Sequence, residues 1–399
     1  MKEFFTFDPK LLLYGFAIVF FASYGQTFFI SIYNVEIRSF YKLTDGEFGL
    51  IYALGTVFSS LILIGFAKLI DFIDLRFYSF IISLGLAVSC LGLYILNNSV
   101  VFLFFVLFSL RFFGQGAMSH AGETTMARYF GKNRGKALSV CTFGGMIGVM
   151  IFPFIVVNLG ELIGWRHVWL ASSFSILIIF FPLLFLALQD QKIRHLNFSD
   201  STKTFLKNKK WRTRDVATDK KFYIYLPISI AAAFISTGLT FHQIFIINQK
   251  GWSLEMLANG FIFLGIFSII GLTLGGPIID KYNTKKVVLF SLAPLFLAIL
   301  ILILFSNYFS MFIYMSLLGV SLGIGTPFIG SLWAELYGLE SLGTVKALLH
   351  ACGVFSSALS PVIFGYMIDF GLGILSIGIV SLLIIVLSTM LPIISNNIE

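Results

Sequence analysis

Arg111 falls deep inside a long apolar stretch, Val100 to Ala127, about eleven residues from one of its ends. A charge at such depth costs a few kcal/mol or more if the stretch crosses a bilayer, so it is a functional candidate by default. Gln115 and Ser119 follow at four-residue steps and share its face of a helix. A guanidinium flanked by amide and hydroxyl donors suits a carboxylate, because it can bind both oxygens at once. The competing reading is an arginine tied to backbone carbonyls or to an acid on a neighbouring helix. His120 and Glu123 lie three residues apart further along the same stretch, within side-chain reach of one another. A histidine titrates near neutrality and burial favours the protonated carboxyl, so the two are candidates for proton uptake and release. Alternatively, Glu123 pairs with a basic loop residue such as Arg128.

A second polar set lies elsewhere. Thr240 and Gln243 share a face of the seventh apolar stretch, with His242 between them pointing elsewhere, and Tyr24, Gln26, Thr27, Tyr33 and Asn34 lie in the first. With Arg111, Gln115 and Ser119 they are the candidate solute contacts; His242 is counted among them. Hydrogen bonding between helices, at about 0.6 kcal/mol each, is the competing role for any one of them. His350 stands isolated and is expected to be structural. No pair among His120, His242 and His350 has ligand spacing, and Cys90, Cys141 and Cys352 lie in apolar runs. Neither a metal nor a cofactor is expected.

The elements that must position these groups follow from composition. Of the 399 residues 58% are hydrophobic and only 12% charged, too few to clothe a water-soluble domain of this size. The net charge of +8 comes without a basic stripe interleaved with aromatics, so nucleic acid is not an expected partner. Twelve apolar stretches, from Leu11 to Val35 through Leu372 to Ile394, have the length of membrane-spanning helices and lack the alternation of barrel strands. The expected fold is all-α, with twelve transmembrane helices in two six-helix bundles. Of the 27 Lys and Arg, 22 fall on the side of the termini and four on the other, which places both termini in the cytoplasm of a multi-pass cell inner membrane protein. The expected partition is an N-terminal bundle over 1–188, a basic linker over 189–221 and a C-terminal bundle over 222–399. Trp211, Val216 and Phe222 among basic residues suit a short amphipathic helix on the anionic inner leaflet, with a plain solvated linker as the rival. Thr44-Asp45-Gly46-Glu47 fits a capping box at a helix start.

The halves echo one another. Ser23-Tyr24-Gly25-Gln26-Thr27-Phe28 recurs as Ser236-Thr237-Gly238-Leu239-Thr240-Phe241, and Thr44 and Asp71 are spaced like Ser253 and Asp280. Parallel repeats of this kind are one plan of secondary transporters. Gly276-Pro277-Ile278-Ile279-Asp280-Lys281, closed by Lys285-Lys286, resembles the inner-loop signature of the major facilitator superfamily. The first-half counterpart keeps Asp71 and Arg76 but has Ala67 where glycine is expected. The resemblance implies that Asp71, Arg76, Asp280, Lys281, Lys285 and Lys286 act as a conformational latch. Leu110-Arg111-Phe112-Phe113-Gly114-Gln115-Gly116, with Ala127-Arg128-Tyr129-Phe130 and Arg134-Gly135-Lys136-Ala137, is most similar to the monocarboxylate and oxalate/formate branch. That implies a secondary active transporter for a small organic anion, working by rocker-switch alternating access coupled to protons or a counter-anion, acting as a monomer in the lipid bilayer. Proton-driven drug or metabolite efflux is the rival, loosely suggested by Gly144, Gly145, Gly148 and Pro153. A nutrient receptor without turnover is a third reading; an enzyme is not expected, since no nucleophile-base constellation lies at membrane depth.

Overall fold

The computed structural model describes residues 4, 7–191, 194, 211–282, 284–338 and 341–396. Residues 192, 193 and 195–210 of the linker, and Asn283 of the Asp280 motif, lie outside the described residues. Among the described residues eleven helices are long and apolar enough to cross a membrane, and a bent pair makes a twelfth. We number them α1 (Pro9–Gly25 with Thr27–Tyr41), α2 (Asp45–Asp71), α3 (Leu75–Ile95), α4 (Val100–Tyr129), α5 (Arg134–Ile163) and α6 (Trp165–Ala187). The second series is α7 (Lys220–Phe241), α8 (Leu254–Lys281), α9 (Thr284–Leu304), α10 (Tyr308–Tyr337), α11 (Leu342–Asp369) and α12 (Ile374–Ser395). Their outward faces stay apolar, as with Val88 on α3 and Leu387 on α12, because lipid replaces water as the solvent.

The chain divides into two compact units, Met1–Lys42 with Leu54–Leu206, and Leu43–Ala53 with Lys207–Glu399. The first nine residues of α2 thus count with the second unit. In the first unit α1 lies along α5 and α3 along α6. Its core is aromatic: Phe29 meets Trp169 with ring centres 5.1 Å apart, and Tyr24 meets Phe152 at 4.7 Å. Arg194 grips both oxygens of Asp8 at 2.6 and 2.8 Å, fixing the start of α1 to the chain beyond α6.

In the second unit α8 lies along α10 and α7 along α11. Where α8 meets α10 the backbones nearly touch: a Cβ on Gly271 would lie 2.7 Å from the Val320 carbonyl oxygen. Small residues permit this approach, which supplies the dispersion contact that lipid cannot outcompete. The polar segment before α7 forms a short helix, Thr213–Thr218. Its apolar residues do not face lipid, contrary to the inner-leaflet expectation. Val216 is fully buried, the Trp211 ring sits 5.1 Å from Tyr337, and Phe222 sits 5.2 Å from Trp333. Protein covers the apolar face that the sequence offered to the membrane.

Candidate functional site

Two local irregularities in the first unit meet at Arg111. The first is the break in α1. Ser23 to Gly25 tighten into a 3-10 turn, and Gln26 is extended at φ −84° and ψ 154°, which bends the helix by 43°. Phe29 and Ile30 both donate their N–H to the Gln26 carbonyl at 3.2 Å. In a regular helix Phe29 would bond Gly25 instead, so the break releases the Gly25 carbonyl at membrane depth. A buried acceptor without a partner costs about 1 to 3 kcal/mol. Arg111 satisfies it, donating from Nη1 at 3.0 Å.

The second irregularity is in α4, where Arg111–Met118 winds as a π-helix. Such segments bond i to i+5 and occur often at functional sites. Arg111, Gln115 and Ser119, expected to share one face, differ in exposure. Arg111 is buried at 1% exposure, whereas Gln115 and Ser119 are half-buried. The guanidinium also donates from Nε to Thr56 Oγ1 at 3.2 Å and from Nη1 to Thr27 Oγ1 at 3.5 Å. It therefore staples α4 to α1 and α2, rather than presenting an open fork.

Close approach makes the staple possible. A Cβ on Gly114 would lie 2.7 Å from the Gly25 Cα, and one on Gly25 would lie 2.8 Å from the Gly114 Cα. The other first-span candidates divide by exposure. Gln26 and Thr27 are half-buried. Tyr24 is buried with its hydroxyl 2.7 Å from Ser175 Oγ, Tyr33 donates to the Val156 carbonyl at 2.7 Å, and Asn34 is buried. Further along α4, His120 Nε2 lies 3.2 Å from Thr124 Oγ1, and Glu123 is exposed.

In the second unit α7 stops at Phe241 and the chain resumes as a helix over Gln243–Lys250, with His242 as the joint at φ −99° and ψ 24°. Thr240 and Gln243 line a crevice of about 10 Å³ with Trp252, Phe261, Met311 and Tyr314. That space admits a single water. His242 turns away from it, as the sequence spacing suggests, and is buried with Nε2 2.9 Å from the Pro361 carbonyl. His350 lies half a helix away on α11 and is exposed.

The motif residues take local partners. Asp71 pairs with Arg128 at the end of α4, and Arg128 also donates to the Ile70 carbonyl at 3.3 Å. Arg76 sits instead 3.5 Å from Asp74, which caps the start of α3 through the Arg76 N–H. Asp280 and Lys281 end α8 in exposed positions, with the Lys281 ammonium 5.4 Å from the Tyr282 ring centre. Lys285 and Lys286 open α9. The Thr44 box forms as its spacing predicts: Glu47 accepts from the Thr44 N–H at 2.9 Å and donates its own N–H to Thr44 Oγ1 at 3.2 Å.

Sequence reasoning did not identify Gly25, Thr56, Asp45 or Asp369 as partners of the singled-out groups. The one signal was the placement of Gly25 beside polar residues within an apolar run, a pattern that marks a helix break as readily as a polar patch.

Two broken lead helices, one in each unit, and a buried cation at one break define the class: a carrier of two repeated helical units. A family model of the Major Facilitator Superfamily matches residues 15–274 and 260–395, and the chain belongs to that family. It is a multi-pass membrane transporter. Among solved structures it is similar to the nucleoside transporter NupG, in a mutant form, at a TM-score of 0.70 and 12% identity, covering 96% of this chain and 98% of that one. It is also similar to a bacterial homologue of the human lysosomal transporter Spinster, in an inward-facing and unoccupied conformation. There the TM-score is 0.61 and the identity 16%, with 96% of this chain and 94% of the other covered. At such identities the likeness speaks of the fold alone. No curated protein matches the chain.

Proposed function

We propose that this transporter moves a small organic anion by alternating access, coupled to protons or to a counter-anion. The observation that supports the reading is the break in α1 at Gln26, held beside the buried Arg111 guanidinium. Irregular backbone at membrane depth is tolerated where protein buries it or where it lines a cavity, and broken helices are where carriers build their sites. Gln26, Thr27 and Gln115 are half-buried around this point and are the groups we assign to direct solute contact. Arg111 has a different role from the open fork expected of it. It fixes the break and supplies a positive field from behind, since Coulomb attraction falls only with the inverse of distance and needs no contact.

His120 and Glu123 remain the proton candidates on α4. The Asp71 pair with Arg128, and Asp280 with Lys281, Lys285 and Lys286, are the assigned latches at the ends of the helices. The bundles over 1–188 and 222–399 rock about the site, with 189–221 as linker. The asymmetry of basic residues supports a cell inner membrane location with both termini cytoplasmic. The fourth-span motif supports a monocarboxylate-like cargo.

The test is a thermal-shift screen of the purified protein against a metabolite library, repeated on Arg111→Lys, followed by counterflow with each hit. A carboxylate should stabilise the wild type, and the lysine variant should lose most of its uptake because an ammonium cannot serve Gly25 and Thr56 together. Full uptake of every carboxylate by Arg111→Lys, or hits confined to cationic dyes that the protein expels, overturns the anion reading.

A further inference from the structure

We propose that the groove between the start of α7 and the end of α12 binds the headgroup of an anionic phospholipid. The inference goes beyond the transport reading and takes from it only the orientation, which puts this groove at the inner leaflet. Both helices belong to the second unit. The groove encloses about 690 Å³ and is polar at one end and apolar at the other. Lys220, Lys221 and Ser395 line it at the helix ends. Ile224 and Leu391, one turn further into each helix, join Ile394 to make the rest of the wall apolar.

The polar groups divide into engaged and unengaged. Asp219 also lines the groove, but both of its oxygens are taken: Oδ1 accepts the Lys221 N–H at 3.0 Å, and Oδ2 accepts the Tyr337 hydroxyl at 2.9 Å. The Thr218 hydroxyl donates its proton to the Arg214 carbonyl at 3.0 Å. By contrast, the Lys220 and Lys221 ammonium groups and the Ser395 hydroxyl have no partner among the described residues, and both lysines are exposed. An ammonium offers three donors and no acceptor. Two of them against one carboxylate leave a net positive charge and a surplus of donors. The group that completes such a set carries negative charge and only accepts, as a phosphodiester without a compensating cation does.

The apolar wall decides between a lipid and free phosphate. Leu383, Leu387, Leu391 and Ile394 recur at steps of four, four and three along α12, so they share one face, and each is at least 44% exposed. From Leu383 to Ile394 this stripe runs about 16 Å, close to half of a hydrocarbon core about 30 Å thick. An acyl chain laid along it stays in one leaflet while its headgroup sits among the lysines. Inorganic phosphate would meet the lysines and leave the stripe unused. Tyr223 marks the same level: its exposed ring donates its hydroxyl to the Ala217 carbonyl at 2.8 Å, and tyrosines of this kind gather at the membrane interface. Val216 and Phe222 are covered by protein, so the lysines and α12 are what the lipid meets. Basic pockets between helices on the cytoplasmic side suit anionic headgroups.

The experiment uses the full chain in detergent micelles, with bound lipid counted by native mass spectrometry during titration with phosphatidylglycerol or phosphatidylcholine. Phosphatidylglycerol should bind more tightly. Lys220→Gln combined with Lys221→Gln should weaken it about fivefold for each lysine removed and leave phosphatidylcholine unchanged. Both positions are exposed, so helicity and melting should match the wild type. Ile394→Trp, which fills the apolar wall without altering charge, should also lower the phosphatidylglycerol count. Equal retention of the two lipids by the wild type, a preference that survives in the double glutamine variant, or an unaltered count in Ile394→Trp overturns the proposal. So does displacement of phosphatidylglycerol by an equal concentration of inorganic phosphate, since the apolar wall then takes no part. Micelles have no sides and the assay needs no cargo. A protein that takes up no carboxylate yet keeps the lipid preference defeats the transport reading alone, and normal carboxylate uptake without the preference defeats this proposal alone.

Discussion

Replacing Gly114 by alanine perturbs the Arg111 staple through its backbone support while leaving every polar group in place. The new Cβ would lie 2.7 Å from the Gly25 Cα and 2.8 Å from its nitrogen, both main-chain atoms that cannot rotate away. Restoring ordinary contact from 2.7 to 3.4 Å means moving α1 and α4 apart by about 0.7 Å. The bond from Arg111 to the Gly25 carbonyl, 3.0 Å at present, would stretch to about 3.7 Å unless the guanidinium follows, beyond hydrogen-bonding range. Overpacking costs about 1 to 3 kcal/mol, and the lost charge-assisted bond adds about 1.5 to 3 kcal/mol. Alanine's better helix propensity returns about 0.5 to 1 kcal/mol, so a net loss of at least about 1 kcal/mol remains. Gly116→Ala is the internal control. Its Cβ would crowd the tip of the Leu63 side chain at 3.0 Å and touch the Arg111 carbonyl oxygen at an ordinary 3.5 Å, and it should be neutral or mildly stabilising. Reversible chemical unfolding in mixed micelles, followed by helicity, reads the difference, and counterflow reads the loss of uptake expected of Gly114→Ala alone. If both alanine variants unfold at the same denaturant concentration, the close approach of Gly25 to Gly114 does not support the site.

Two further outcomes are expected. Val216→Ala removes two methyl groups from a fully buried position on the short helix that packs against α7 and α11, and should cost roughly 1 to 2 kcal/mol; limited proteolysis ahead of α7 should accelerate, and an unchanged cleavage rate would return that helix to a lipid-facing role. Arg128→Gln breaks a pair in which Asp71 is 54% exposed, so unfolding should shift by no more than about 1 kcal/mol; the latch assignment then requires a change in transport rate, measured in proteoliposomes, with stability nearly intact.

Long, uninterrupted apolar runs made the twelve spans legible in the sequence, because each must hide its own hydrogen bonds in lipid. The site was legible in its residues but not in its geometry. Arg111, Gln26 and Thr27 could be picked out as polar groups at depth, yet a π segment uses the same small residues at the same spacing as an α-helix. The π winding of Arg111–Met118 thus left no warning in composition. The competing reading of Arg111, a cation bonded to backbone carbonyl, accounts for its contacts with Gly25. Trp211, Val216 and Phe222 show a second limit: an apolar face looks alike whether lipid or protein covers it. Asp71 illustrates a third, since its partner Arg128 is distant in sequence and meets it only because α2 and α4 end together.

The glycines where α2 meets α11, Gly49 against the Pro361 carbonyl and Gly365 against that of Asp45, have a kinetic corollary. Main chain resting on main chain interlocks few side chains, so sliding or lifting there withdraws no large knob from a hole apart from the rings around Phe241. A joint of that kind is held shut by a small margin. Filling it with larger residues would give a sturdier molecule and a slower one.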